Sequence, residues 1–186
     1  HLEVDVVARV LREPAQILLE RLPGRGLAVV PARDGTPVAV ANLLGRMTLD
    51  PARSPFEVVD ELIERARAAA PVVLLDMHAE ATSEKVAMGW HLAGRATAVV
   101  GTHTHVQTND ARVLPGGTAY VTDLGMTGPH DGVIGSRKDE ILRRFLTQLP
   151  QRAQPADGDV RLEGLLVTCR AEDGRATAAE LFRREA

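Results

Sequence analysis

Two short apolar runs, Pro71–Leu75 and Ala96–Val100, constrain this chain most. They have the length of buried strands. Before the first, Val58, Val59, Leu62 and Ile63 form a helical stripe. Between the two, Val86, Trp90 and Leu92 are read as the inward side of a second helix. Strand–helix–strand alternation favours a central sheet with parallel pairs, because a parallel pair needs a long crossover between its strands. Both runs end in chemically active residues. The first passes into Asp76-Met77-His78-Ala79-Glu80, and the second, which Gly101 is expected to end, into His103-Thr104-His105. Open α/β sheets bind ligands beyond the carboxyl ends of their strands. In extended backbone, residues i and i+2 point the same way, so His103 and His105 are expected to aim at one point.

The rest of the chain supplies more helices and hairpins. Val6, Val7, Val10 and Leu11 give Leu2–Arg12 a helical stripe, stopped by Pro14. Pro23-Gly24-Arg25-Gly26 reads as a turn. Leu27–Val30 and Val38–Leu44 are joined as a hairpin through Arg33-Asp34-Gly35-Thr36. Ser54 is placed to cap a helix, with Pro55 at its first position and Glu57 completing a capping box. Thr82 or Ser83 is expected to cap the second helix, and Gly94 to end it. Leu114-Pro115-Gly116-Gly117 is turn chemistry before a strand over Thr118–Thr122. Asp123–Gly132 reads as a long glycine-rich loop. Ser136 is expected to cap a helix over Arg137–Leu149, with Ile141, Leu142, Phe145 and Leu146 on one side. Val160–Cys169 and Arg175–Phe182 flank Glu172-Asp173-Gly174 as a closing hairpin. No linker divides the chain, so residues 1–186 are expected to form a single α/β or α+β domain.

Composition narrows the function. A net charge of −3 without a basic stripe argues against a stable nucleic-acid complex but not against a single nucleotide. Aromatics make up 3% of the chain, too few for base-stacking platforms. No apolar segment is long enough to span a membrane and no signal peptide is visible, so a cytoplasmic location is expected. The one cysteine, Cys169, lies in an apolar run and reads as a small core residue. There is no P-loop, no G-x-S-x-G elbow and no dinucleotide fingerprint after a strand.

Three histidines at two strand ends, with carboxylates beside them, point to part of a metal site. A lone H-x-H often splits into one packed and one solvated ring. The strand-end position and the second strand ending in Asp-Met-His favour ligation by His103, His105 and His78. Asp76 and Glu80 are assigned to hold and orient those ligands, since a ligating imidazole needs a partner for its other nitrogen. His130 and Asp131, in the glycine-rich loop, are candidates for substrate contact. Asn42 ends a strand and either faces the site or caps it. His91 is read as a surface or packing residue.

Several blocks carry a family resemblance. D-M-H-A-E-A-T-S-E-K-V-A-M-G-W (Asp76–Trp90), V-G-T-H-T-H-V-Q-T (Val100–Thr108), L-P-G-G-T-A-Y-V-T-D-L-G-M-T-G-P (Leu114–Pro129) and Gly132–Gly135 closely resemble the bacterial YmdB-like metallophosphoesterases. The resemblance implies a calcineurin-like sandwich of two mixed sheets flanked by helices. It also implies a centre of two divalent ions (Fe, Mn or Zn) held in part by His78, His103 and His105. The implied activity is hydrolysis of 2′,3′-cyclic nucleotides to 3′-phosphates by a metal-activated hydroxide, and a homo-oligomer fits the family. The family's N-terminal metal-binding Asp, its G-E-N and G-N-H-T-W blocks and its catalytic histidine have no match here. The chain, which begins at His1, is therefore expected to be the C-terminal portion of the family's domain, with the catalytic residue outside it. Alternative readings are a mononuclear metal hydrolase of another ester or amide, a non-catalytic regulatory protein with a vestigial site, and an RNA-associated role.

Overall fold

The computed structural model describes residues 2–3, 26–49 and 53–185. In chain order its elements are β1 (Leu2–Glu3), β2 (Leu27–Pro31), β3 (Pro37–Leu44), α1 (Pro55–Ala69), β4 (Val72–His78), α2 (Thr82–His91), β5 (Ala98–Thr102), β6 (Arg112–Leu114), β7 (Thr118–Val121), β8 (Thr127–Pro129), α3 (Lys138–Thr147), β9 (Val160–Cys169) and β10 (Ala176–Glu185). The helix expected over Leu2–Arg12 lies outside the described residues except at Leu2–Glu3, which are strand and pair antiparallel with β9. The Pro23–Gly26 turn lies outside them except for Gly26.

Two sheets form. The larger has six strands in the order β2-β3-β4-β5-β7-β6. β3, β4, β5 and β7 run parallel, and the edge strands β2 and β6 pair antiparallel. In the smaller sheet β9 pairs antiparallel with β10, β1 and β8. The alternation along each parallel strand sorts its residues between two cores. Ala39, Ala41 and Leu43 of β3, Val73, Leu75 and Met77 of β4, and Val99 of β5 pack under α1 and α2. Val38, Val40 and Val72 meet Cys169, and Ala98 and Ala119 meet Val167 and Ala176, on the opposite face. The layering is therefore helix, large sheet, small sheet. This two-sheet α/β sandwich is the fold the resemblance implies, except that only the large sheet is mixed: among the described residues the small sheet is antiparallel throughout.

Several local expectations shift. Ser54 does cap α1, its Oγ accepting from Phe56 N at 3.3 Å. Glu57 closes no box and lies 3.9 Å from Arg53 instead. α2 is capped at Ala81 without a side-chain bond, and its buried residues are Glu84, Lys85, Met88 and Gly89; of the residues expected inward, Leu92 is buried just past the helix and Val86 packs on the same core. Trp90 is 54% exposed. The rotation has a steric cause: a Cβ on Gly89 would lie 2.5 Å from the Tyr120 ring, so the helix seats there by its glycine. The Asp123–Gly132 segment is not wholly loop, because β8 adds Thr127–Pro129 to the small sheet. Arg137, not Ser136, is the cap residue of α3, and Ser136 forms bridges to Val133 and Pro155. None of α3 is buried, so its apolar stripe, with Phe145 and Leu146 at its centre, faces outward.

Candidate metal centre at the strand ends

The parallel register brings the chemistry together. Asn42 lies beside Asp76 on β3 and β4, and His78 beside Thr102 on β4 and β5. By strand parity all four lie on the face turned toward the small sheet, at the carboxyl edge of the large one. Asp76 to His78 are the last residues of β4 itself rather than residues beyond it. Likewise Gly101 does not end β5. A Cβ there would sit 1.8 Å from Thr122 O and 2.6 Å from Lys85 Cδ, so the glycine leaves room for a neighbouring strand and a lysine stem.

Hydrogen bonds run through the site in a chain. Asn42 Nδ2 donates to Asp76 Oδ2 at 2.6 Å and Thr102 Oγ1 donates to Asp76 Oδ1 at 2.7 Å. Burial pushes the Asp76 carboxyl up to about 6, against these two bonds. With its hydroxyl proton committed to Asp76, Thr102 accepts from His78 Nδ1 at 3.0 Å. His78 is then the Nδ1–H tautomer, with the Nε2 lone pair free. Burial, and then the neighbouring His103, lowers the His78 pKa and favours that neutral form. His103 Nε2 lies 2.9 Å from the Glu80 carboxylate and needs its proton there. That leaves His103 Nδ1 facing His78 Nε2 at 3.1 Å, with the two rings edge to face.

Two lone pairs facing each other repel unless a positive centre lies between them. A proton meets that need, and so does a cation. Two nitrogens bound at about 2.0–2.1 Å to one ion lie roughly 2.8–3.0 Å apart in octahedral and 3.3–3.4 Å apart in tetrahedral geometry, so the observed spacing falls within the range for a shared divalent metal. Backing by a carboxylate and by a hydroxyl–carboxylate relay is the usual support of ligating imidazoles.

His105 is placed differently. The backbone at His103 and His105 has φ of 114° and 63°, so the pair is not extended and the same-side expectation fails. Each such conformation costs about 1–3 kcal/mol and persists only where the surroundings impose it. His103 turns to His78, whereas His105 Nδ1 faces Ile134 O at 3.3 Å. Among the described residues no three His, Cys, Asp or Glu side chains converge as a ready metal cluster. His130 lies against the small sheet, with Nδ1 3.0 Å from Gly128 O and Nε2 3.4 Å from Glu163. Asp131 pairs with Lys138 at the surface. His91 bonds Asp60 at 2.9 Å on the surface, and Cys169 is a buried core thiol, as read from the sequence.

One element was missed. Lys85 and Asp123, each 1% exposed, form a buried ion pair at 3.0 Å behind the His103 loop. A lysine in an amphipathic helix reads as solvent-facing. The available signals were Gly101 and an aspartate directly after a strand.

Comparisons with known proteins agree with this fold. The family model described as YmdB-like protein matches residues 4–182. The 2′,3′-cyclic-nucleotide 2′-phosphodiesterase of Bacillus subtilis is 50% identical over 161 residues, which cover 87% of this chain and 61% of that protein. A putative phosphatase/phosphodiesterase of Mycoplasma genitalium is 32% identical, over 81% of this chain and 54% of that protein. The crystal structure of a hypothetical protein from Thermus thermophilus superposes with a TM-score of 0.83 at 40% identity, covering 92% of this chain and 66% of that one. A crystal structure described as a novel phosphatase from Mycoplasma pneumoniae gives a TM-score of 0.77 at 32% identity, over 87% of this chain and 58% of that one. The chain thus spans about three-fifths or less of the length of these curated relatives.

Proposed function

From the premise that the chain belongs to the YmdB-like family, we propose that it carries one side of the metal centre of a phosphodiesterase acting on cyclic nucleotides, with 2′,3′-cyclic nucleotides opened to 3′-phosphates. The observation that carries this is the facing of His78 Nε2 and His103 Nδ1 at 3.1 Å, each ring's other nitrogen being held by Thr102 or Glu80. The identity to the Bacillus subtilis enzyme supports the substrate class.

His78 and His103 would hold a divalent ion, and His105 would join them on turning from Ile134 O. Bound divalent ions lower the pKa of water and offset charge on phosphoryl oxygens, and the proposed complement is two ions of Fe, Mn or Zn. Thr102 and Asp76 fix the His78 tautomer, and Glu80 fixes that of His103. His130 and Asp131 belong to the same proposal as substrate contacts, since they share a loop with Ile134, the partner of His105. The family resemblance assigns the remaining ligands and the catalytic histidine to N-terminal motifs. The proposal also places the protein in the cytoplasm as a homo-oligomer acting on a small nucleotide, without a stable nucleic-acid or membrane partner. The net charge of −3 supports only the absence of a stable nucleic-acid partner.

Elemental analysis of metal per chain, followed by hydrolysis of 2′,3′-cyclic AMP, tests the reading. It should be run on these 186 residues and on the longest natural chain that contains them. Two ions and turnover in the longer chain are expected. A single ion per chain favours the mononuclear hydrolase, and metal-free protein in both forms overturns the reading.

A further inference from the structure

We propose that the buried Lys85–Asp123 pair is a positioning device that holds His103 in its ligand-presenting conformation. The inference rests on His103 being a metal ligand and goes beyond it by assigning what sets its geometry. The two peptide planes on either side of His103 fix its φ and ψ, and both are tied to this one pair. Lys85 Nζ donates to Thr102 O, the carbonyl before His103, at 3.3 Å. It also donates to Asp123 Oδ2 at 3.0 Å. That same oxygen accepts from Thr104 N, the amide after His103, at 3.0 Å. The φ of 114° at His103 is a conformation an L-residue holds only under such constraint.

Asp123 is itself anchored. Its Oδ1 accepts from Gly125 N at 3.0 Å, its N–H donates to Thr108 Oγ1 at 2.9 Å, and its carbonyl accepts from Thr108 N at 3.1 Å. Lys85 reaches it past Gly101, where a Cβ would lie 2.6 Å from the lysine Cδ. A buried ion pair is a poor choice for stability alone, since apolar residues of similar volume usually serve as well or better. This one accounts for its presence by bracketing His103.

The test uses neutral replacements, which leave no unpaired buried charge, in the full-length chain. The double variant Lys85→Met/Asp123→Leu removes both ties, while Lys85→Met/Asp123→Asn keeps an acceptor for Thr104 N. Mn2+ affinity by calorimetry, the unfolding midpoint, and kcat and KM on 2′,3′-cyclic AMP are measured for each. The Met/Leu variant should fold, bind Mn2+ at least tenfold more weakly and lose kcat with little change in KM. The Met/Asn variant should recover part of the affinity. Wild-type Mn2+ affinity in the Met/Leu variant at unchanged stability overturns the proposal. His103→Ala separates the two layers: affinity kept in His103→Ala overturns the ligand reading and the proposal together. Affinity lost there but kept in Met/Leu overturns the positioning role alone. Hydrogen exchange in the wild-type chain needs no variant to fold. The Thr104 amide should be strongly protected, and exchange as fast as that of an exposed loop amide overturns the clamp.

Discussion

At His103 the two ring nitrogens face different partners, and Glu80 decides which of them keeps the proton. A carboxylate at 2.9 Å from Nε2 accepts that proton and leaves the Nδ1 lone pair facing His78. In Glu80→Gln the side chain can also donate, so the tautomer is no longer imposed. Because the Glu80 side chain is 54% exposed, the substitution should leave stability within about 0.5 kcal/mol. Metal affinity should fall roughly 10–100-fold, the usual effect of removing such a partner. Titration of Mn2+ into both proteins checks this, and equal affinities would show that Glu80 is a bystander. Spacing and strand-end position singled out His78, His103 and Glu80 as candidates, and the structure sets His103 between the other two. The reason offered for the H-x-H was nevertheless wrong, because positive φ at His103 and His105 sends the rings to different partners. Positive φ at a histidine leaves no mark in the sequence, since it is imposed by distant groups such as Lys85.

Among the elements, hydrophobic period reported which residues are apolar more faithfully than what they pack on. The α1 stripe is buried at Val59, Leu62 and Ile63 as read, with Val58 partly buried beside it. The α3 stripe faces outward, and α2 is rotated so that Lys85 and Gly89 point inward while Trp90 does not. Such a rotation depends on the shape of the opposing surface, here the Tyr120 ring. The glycine-rich segment hid β8 because three residues paired to one neighbour have no period of their own. Glu163 on β9 anchors that segment through Met126 N and binds Arg183. Burial alone would raise its carboxyl, but the Met126 amide, His130 and Arg183 outweigh burial and hold it below the ordinary 4.5. A depressed carboxyl pKa stabilises the fold above the unfolded-state value, and the contribution is lost as pH falls through the folded-state one. The stability gap between wild type and Glu163→Gln should therefore be full near pH 7 and close below about pH 4.5. Urea unfolding across that range measures it, and a gap independent of pH would mean that Glu163 acts through shape alone.

For the whole molecule, the decisive fact is that the strand-end residues lie where the two sheets meet. Local patterns identified strands and hairpins but not which sheet each joins, because a period of two does not encode a partner. The division into two sheets came from the family resemblance. Gln107 is a polar side chain that spans the junction. The two N–H groups of its Nε2 are shared among Leu124 O at 3.3 Å, Gly164 O at 3.0 Å and Phe182 O at 3.2 Å, tying the loop after His105 to β9 and β10. Gln107→Ala removes the donor from all three carbonyls. Losing partners for part-buried carbonyls costs on the order of 2 kcal/mol, which in a chain of this size lowers Tm by about 4–8 °C. Since the same loop carries His105, Mn2+ affinity should fall along with Tm. A drop in Tm with affinity unchanged would mean that the small sheet only shelters the centre. A parallel loss of both would make the docking of the two sheets a condition for assembling the metal-binding edge.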